Sequence, residues 1–183
     1  MYEVELKAHV YDVKSVKEKL DSFAVYAGSC SKEDTYYVNQ TNGIQVRLRH
    51  ELSDDKESLV VTYKKKTKKT SQDGYVFEVN EEKEFAIDSQ SSFEAFIFDA
   101  GFSVLRKKQK KVSQWKFEDA LLELCNVPPL GDFLEIEILC SDNDEETVSV
   151  ANQKLLKLLD DCGIQRKEIE PLFYNQLLDR HNF

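Results

Sequence analysis

Charged residues recur along this chain two positions apart and in like-signed sets: Glu3 and Glu5 with Lys7, Arg47 and Arg49, Glu82 and Glu84, Lys108 and Lys110, Glu135 and Glu137, with Lys64 beside Thr62. Two carboxylates about 4 Å apart repel by about 4 kcal/mol at an effective dielectric near 20. Each Glu pair therefore calls for a compensating partner. Clustered carboxylate oxygens suit Mg²⁺ or Mn²⁺, which take hard oxygen ligands together with water and phosphate. Arginine forks and lysine ammonium groups suit phosphate oxygens. Both kinds of group on one surface point to a polyphosphate with bound metal. Phosphoryl chemistry asks for little beyond positioning and charge neutralisation, so the chain needs no evident catalytic Ser or His.

The spacing of two also identifies the elements that must carry these residues, because residues i, i+2 and i+4 of a strand share one face. Glu3, Glu5 and Lys7 alternate with Val4, Leu6 and Ala8; Gln45, Arg47 and Arg49 with Ile44, Val46 and Leu48; Thr62 and Lys64 with Val61 and Tyr63. Glu78, Asn80, Glu82 and Glu84 face away from Phe77, Val79 and Phe85, and Glu135 and Glu137 alternate with Leu134, Ile136 and Ile138. These are charged strands with apolar backs. Asp12 is expected to cap a helix with Val13, Val16 and Leu20 on its apolar stripe, and Ser91 or Ser92 a second one ended by Gly101. A longer helix carries Val148 and Leu155 to Leu159 and stops at Gly163, and a last one spans residues 171–180 with Pro171 in its first turn. The polar stretch 65–74 is expected to be a hairpin loop. The reading is α+β: an antiparallel sheet of about eight strands with covering helices. Closed into a barrel with the charged faces inward, that sheet would enclose a wet, polar interior.

Composition narrows the partners. At 183 residues the chain is expected to form a single domain, 1–183, and 41% hydrophobic residues are enough to fill a core. A net charge of −9 opposes general attraction to nucleic acid or anionic membrane, so the Lys64 to Lys69 and Arg106 to Lys111 runs read as loop charges and inward-facing bases. No segment is apolar for the roughly 18 residues a membrane span needs. The charged opening around Glu3, Glu5 and Lys7 lacks the apolar stretch of a secretory leader, which points to the cytoplasm. Cys30, Cys125, Cys140 and Cys162 are widely spaced and are expected to be free thiols.

Glu3-Val-Glu5-Leu-Lys7 resembles the ExExK signature of the CYTH domain, or triphosphate tunnel metalloenzyme, family. Arg47-Leu-Arg49, Thr62-Tyr-Lys64, Glu82-Lys-Glu84, the run Leu130 to Glu137, and Tyr174 ahead of Leu177-Leu178 follow in the order typical of that family. The resemblance covers nearly the whole chain. It implies an eight-stranded antiparallel tunnel in which Glu3, Glu5, Glu82, Glu84, Glu135 and Glu137 hold Mg²⁺ or Mn²⁺. Lys7, Arg47, Arg49, Lys64, Lys108 and Lys110 would hold a triphosphate, with Glu5 and Lys7 in the catalytic role. The activity implied first is that of a class IV adenylate cyclase, which turns ATP into cyclic AMP and pyrophosphate. A hydrolase of inorganic or thiamine triphosphate comes second, and a non-catalytic triphosphate- or nucleotide-binding module third. The resemblance also suggests a homodimer. Three positions depart from the family pattern: Val112 and Asn80 stand where Arg is usual, and Cys125 where Asp is usual, with Glu123 on the same face as Cys125.

Overall fold

The computed structural model describes residues 2–54, 56–70 and 74–181, with the side chain of Lys66 excepted. Eight antiparallel strands close into a barrel in the order β1-β5-β4-β3-β2-β6-β7-β8. They are β1 (Tyr2–His9), β2 (Val25–Asn39), β3 (Gln45–Ser53), β4 (Glu57–Thr70), β5 (Val76–Ala86), β6 (Phe102–Phe117), β7 (Ala120–Val127) and β8 (Gly131–Cys140). Helices α1 (Val13–Phe23), α2 (Gln90–Asp99), α3 (Glu145–Asp161) and α4 (Tyr174–His181) and a short 3₁₀ turn at Arg166–Glu168 complete the described residues. The expected α+β barrel with covering helices is what forms. No helix among the described residues is long and apolar enough to cross a membrane.

The alternation works in the inverted sense that the charge pattern implies. Apolar backs of β1, β6, β7 and β8, among them Val4, Leu6, Trp115, Leu122, Leu134 and Ile136, lie outside the barrel. There they pack under α1 and α3 through Val16, Leu20, Leu155 and Leu159. Trp115 is fully buried, and its indole N–H donates to Asp21 of α1 at 2.8 Å. A second cluster, Tyr37, Leu48, Val61 and Ile97, seats α2 on the other side. With its apolar surface used outward, the barrel keeps its polar side chains for the interior.

Three local expectations need correction. Ser89, rather than Ser91 or Ser92, caps α2 by accepting from the Ser92 N–H at 3.2 Å. The β4 strand runs on through Thr70, paired with β5 as far as Val76, so lysine-rich residues 65–70 are strand and not loop; residues 71–73 of that expected loop lie outside the described residues. Its ladder needs only backbone groups, and the lysines are long enough to reach water. The last helix begins at Tyr174, three residues beyond Pro171, because the preceding backbone is spent bridging to β1: Ile169 pairs with Ala8, and the Glu170 N–H donates to the Lys7 carbonyl at 2.7 Å. Gly101 and Gly163, with φ of +82° and +74°, end α2 and α3 as expected. The four cysteines are free thiols.

Candidate functional site

Strand register decides which charges meet. Lys7 on β1 stands opposite Glu135 on β8, and Glu5 opposite Glu137. Glu3 pairs with Asn80 on β5, whose Glu82 and Glu84 stand opposite Lys64 and Thr62 on β4. On the far side Asp34 of β2 lies between Arg49 of β3 and Lys108 of β6. All twelve residues expected to hold metal or phosphate line one cavity of about 660 Å³ along the barrel axis.

Within it the charges sort by wall. On the wall of β1, β5 and β8, the Lys64 ammonium is the cation among carboxylates: it contacts Glu3, Glu82 at 2.8 Å and Glu5 at 3.5 Å. Burial tends to drive the Lys64 proton off, yet Glu5, Glu3 and Glu82 hold its pKa well above the ordinary value. Lys64 does not by itself neutralise this wall. Burial, with Glu3 and Glu5 adjacent, pushes the Glu137 carboxyl up to about 9, and burial raises Glu5 against the pull of Lys64. An all-oxygen donor set with surplus negative charge fits a hard divalent cation. Glu3, Glu5, Glu82 and Glu137 supply such oxygens on this wall, while the metal-ligating atoms that lie within 4.8 Å of one another among the described residues are those of Glu123, Cys125 and Glu135.

The opposite wall is basic and already internally paired. Arg49 makes a two-pronged contact with Asp34, at 2.7 and 3.1 Å, and Lys108 reaches the same carboxylate at 3.1 Å. Asp34 is 1% exposed; burial would raise its pKa, but the Arg49 and Lys108 cations hold it well below the carboxylate range. Arg47 donates to Thr62 at 2.8 Å and Glu84 at 3.3 Å, while its buried Nε has no partner. On the acidic side Lys7 of β1 is a second cation, and it donates to the Leu172 carbonyl at 2.7 Å.

Two predicted residues sit differently from the rest. Glu84 has a side chain 47% exposed and lies at the cavity mouth. Glu135 stands apart from the acidic group around Lys64: Lys110 bonds it at 2.6 Å and Glu123 at 3.1 Å. Burial notwithstanding, Lys110 holds Glu135 near 2. Lys110 is thus committed to two carboxylates, and it lies 3.6 Å from the Cys125 sulfur, so Glu123, Cys125 and Glu135 converge on an ammonium group.

Sequence reasoning missed Lys32, Asp34 as an ion-pair partner, and the working position of Glu123. Lys32 is buried and bonds Glu123 at 2.6 Å. Its signal was the i, i+2 pair Lys32 and Asp34 on β2, hidden because Cys30 to Asp34 has no apolar alternation to reveal the strand. The departures Val112 and Cys125 pack with Val127 and Phe133 into an inward apolar cluster that Tyr174 and Leu177 cover. The C-terminal segment crosses the barrel end there: the Pro171 carbonyl accepts from Lys68 of β4, the Leu172 carbonyl from Lys7 of β1, and the Asn175 carbonyl from Arg106 of β6.

An eight-stranded antiparallel barrel with a charged axial cavity is the architecture of triphosphate tunnel proteins, and the comparisons agree. The CYTH domain model matches residues 1–174, and the chain belongs to the CYTH domain family. No curated protein matches the sequence. Among solved structures, the PH1819 protein of Pyrococcus horikoshii OT3 is 24% identical with a TM-score of 0.83, covering 98% of this chain and 99% of that one. A candidate adenylate cyclase from Vibrio parahaemolyticus is 16% identical with a TM-score of 0.78, covering 98% of both chains. A Hippeastrum protein with a dominant triphosphatase activity is 18% identical with a TM-score of 0.59, covering 93% of this chain and 90% of that one. At these identities the likeness is one of fold.

Proposed function

We propose that this protein is a divalent-metal-dependent enzyme acting on a triphosphate held inside the barrel, and that its reaction is the cyclisation of ATP to cyclic AMP and pyrophosphate. The observation that carries the reading is the two-walled cavity, carboxylates facing guanidinium and ammonium groups across a space large enough for a nucleotide. Lys7, Arg47, Arg49, Lys64 and Lys108 would neutralise and align the phosphate chain, Arg47 with a buried N–H still to be satisfied. Lys110 would add its charge through the cavity floor while bonded to Glu123 and Glu135. Glu3, Glu5, Glu82 and Glu137 would hold Mg²⁺ or Mn²⁺, with Glu84 and Glu135 at its margins. The bound ion would supply charge neutralisation at the reacting phosphate and a lowered pKa for the attacking hydroxyl. Glu5 and Lys7, adjacent on one strand face, place an acid-wall ligand next to a phosphate donor, which is the arrangement the reacting phosphorus needs.

Tyr36, Ile44, Val46, Tyr63, Leu121 and Leu139 also line the cavity and offer apolar surface for a base, which favours a nucleotide. Hydrolysis of inorganic or thiamine triphosphate is the second reading. It is favoured by the charged walls, which offer partners to a triphosphate whether or not a base is attached. Product analysis separates the two. Purified protein is incubated with ATP, and separately with inorganic triphosphate, in Mg²⁺ or Mn²⁺. Cyclic AMP with equimolar pyrophosphate is the expected result, phosphate released chiefly from triphosphate establishes the hydrolase, and binding without turnover leaves a binding module.

A further inference from the structure

His9 ends β1 two residues beyond Lys7, on the same strand face, and does not itself line the cavity. Its imidazole packs on Phe133 with centroids 4.6 Å apart and stacks beside Tyr11 at 6.1 Å. Its Nε2 lies 3.0 Å from one carboxylate oxygen of Glu170, and since a carboxylate only accepts, that nitrogen carries the hydrogen. The Glu170 side chain is only 13% exposed, so its partners are protein groups more than water. Those partners surround Lys7. The second Glu170 oxygen accepts from the Leu172 N–H at 2.8 Å, and the Glu170 N–H donates to the Lys7 carbonyl at 2.7 Å. The Leu172 carbonyl in turn accepts from the Lys7 ammonium at 2.7 Å. Hydrogen bonds thus run from His9 through Glu170 and Leu172 back to Lys7, leaving β1 and returning to it.

A lysine needs such a hold if it is to bind well. Its side chain is among the richest in rotamers, and ordering it at the moment of binding costs affinity unless it is already held in place. Of the three N–H donors of Lys7, the Leu172 carbonyl takes one and the Tyr174 ring lies 4.6 Å from Nζ; the ammonium is thereby fixed at the edge of the cavity it lines. We propose that His9 and Glu170 are positioning residues which, through Leu172, hold the Lys7 ammonium in the orientation in which it meets phosphate. The inference rests on the triphosphate reading for the role of Lys7, and it adds two residues that line no part of the cavity. Lys108 supplies the contrast. It touches the same C-terminal segment through the Tyr174 ring at 4.7 Å, yet its ammonium is held by Asp34 of β2 at 3.1 Å, with no part played by Glu170.

The test is calorimetric titration with inorganic triphosphate in Mn²⁺ across a set of variants. Glu170→Ala should weaken binding about fivefold, the usual worth of one hydrogen bond. Glu170→Gln, which keeps an acceptor for the Leu172 N–H, should stay within about twofold of wild type, and His9→Phe, which keeps the ring and loses the N–H, should weaken binding at least about twofold. In a Lys7→Met background Glu170→Ala should cost less than about twofold, whereas in a Lys108→Met background its full effect should persist. A merely structural Glu170 would instead give equal losses in both backgrounds, or none in either; each result overturns the proposal. A second readout needs no ligand. The Lys7 ammonium should give a resolved ¹⁵N NMR signal that Glu170→Ala removes and Glu170→Gln keeps, and a signal unchanged by Glu170→Ala overturns the proposal whatever the titrations show. Failure of wild type to bind inorganic triphosphate overturns the triphosphate reading and with it the role of Lys7, while the NMR signal still decides whether His9 and Glu170 hold that ammonium.

Discussion

Replacing Asp34 by Asn tests whether the basic wall is held ready by an internal counter-ion. Asparagine keeps the volume but leaves Arg49 and Lys108 beside a neutral amide in a site where Asp34 is 1% exposed. Removing one partner of a buried ion pair costs about 3–5 kcal/mol. The Arg49 side chain is 15% exposed to cavity water, which puts the expected loss at the lower end, about 3 kcal/mol. For a chain of this length 1 kcal/mol moves the melting temperature by roughly 2–4 °C, so the variant should melt about 6–12 °C lower. The sign follows from the depressed folded pKa: the stabilisation is fully present above the unfolded value of about 3.9 and is lost as pH falls through the folded one. At pH 7.5 all of it is at stake. The two released cations should then bind phosphate more strongly, so saturating inorganic triphosphate with Mn²⁺ should raise the variant's melting temperature by more than it raises that of wild type. Scanning calorimetry at pH 7.5 with and without ligand gives both quantities. A fall of less than about 2 °C, or a ligand-induced rise no larger than in wild type, would refute the reasoning.

Other perturbations bear on the acidic wall and the clamp. Glu5→Gln should abolish metal-dependent turnover while leaving circular dichroism unchanged, and full activity at saturating Mg²⁺ would remove Glu5 from the metal site. Lys64→Met strips Glu3, Glu5 and Glu82 of their shared cation and should lower the melting temperature in EDTA, with Mn²⁺ restoring much of the loss; a variant indifferent to Mn²⁺ would contradict the site. Glu137, raised to about 9, keeps a proton that the unfolded chain gives up near 4.3, so it withdraws stability as pH climbs between those values. Glu137→Gln should therefore stabilise the metal-free protein at pH 8–9 and do little at pH 4, and Mn²⁺ affinity of wild type should rise with pH up to about 9; a flat affinity over pH 6–9 would argue against Glu137 as a ligand. Arg49→Ala should weaken inorganic triphosphate far more than inorganic phosphate in competition titrations, and equal losses would place Arg49 outside the clamp.

Much of this arrangement is legible in the chain because a period of two is hard to disguise. Glu3 to Lys7, Arg47 to Arg49 and Glu135 to Glu137 reveal strand, face and chemistry together, since their neighbours Val4, Leu6, Leu48, Leu134 and Ile136 are strictly apolar. Legibility fails where the outer face is polar too. Cys30 to Asp34 and the lysine-rich end of β4 pair through their backbones with no apolar neighbour to announce it, so Lys32 stayed hidden and residues 65–70 read as loop. Local sequence also does not show which acid a lysine will choose. Lys110 belongs to Glu123 and Glu135 because β6, β7 and β8 are adjacent in the closed barrel, a long-range fact of register. The same holds for Tyr174, brought to Lys7 and Lys108 by a segment crossing the barrel end.

The proposed function requires that an acidic wall with a divalent cation and a basic wall bind one triphosphate together. Calorimetric titration of the wild-type protein with inorganic triphosphate, once in Mn²⁺ and once in EDTA, tests that most directly. Saturable one-to-one binding in Mn²⁺, weakened at least about tenfold in EDTA, is the predicted result. Absence of binding in both buffers, or an affinity indifferent to the metal, would contradict it.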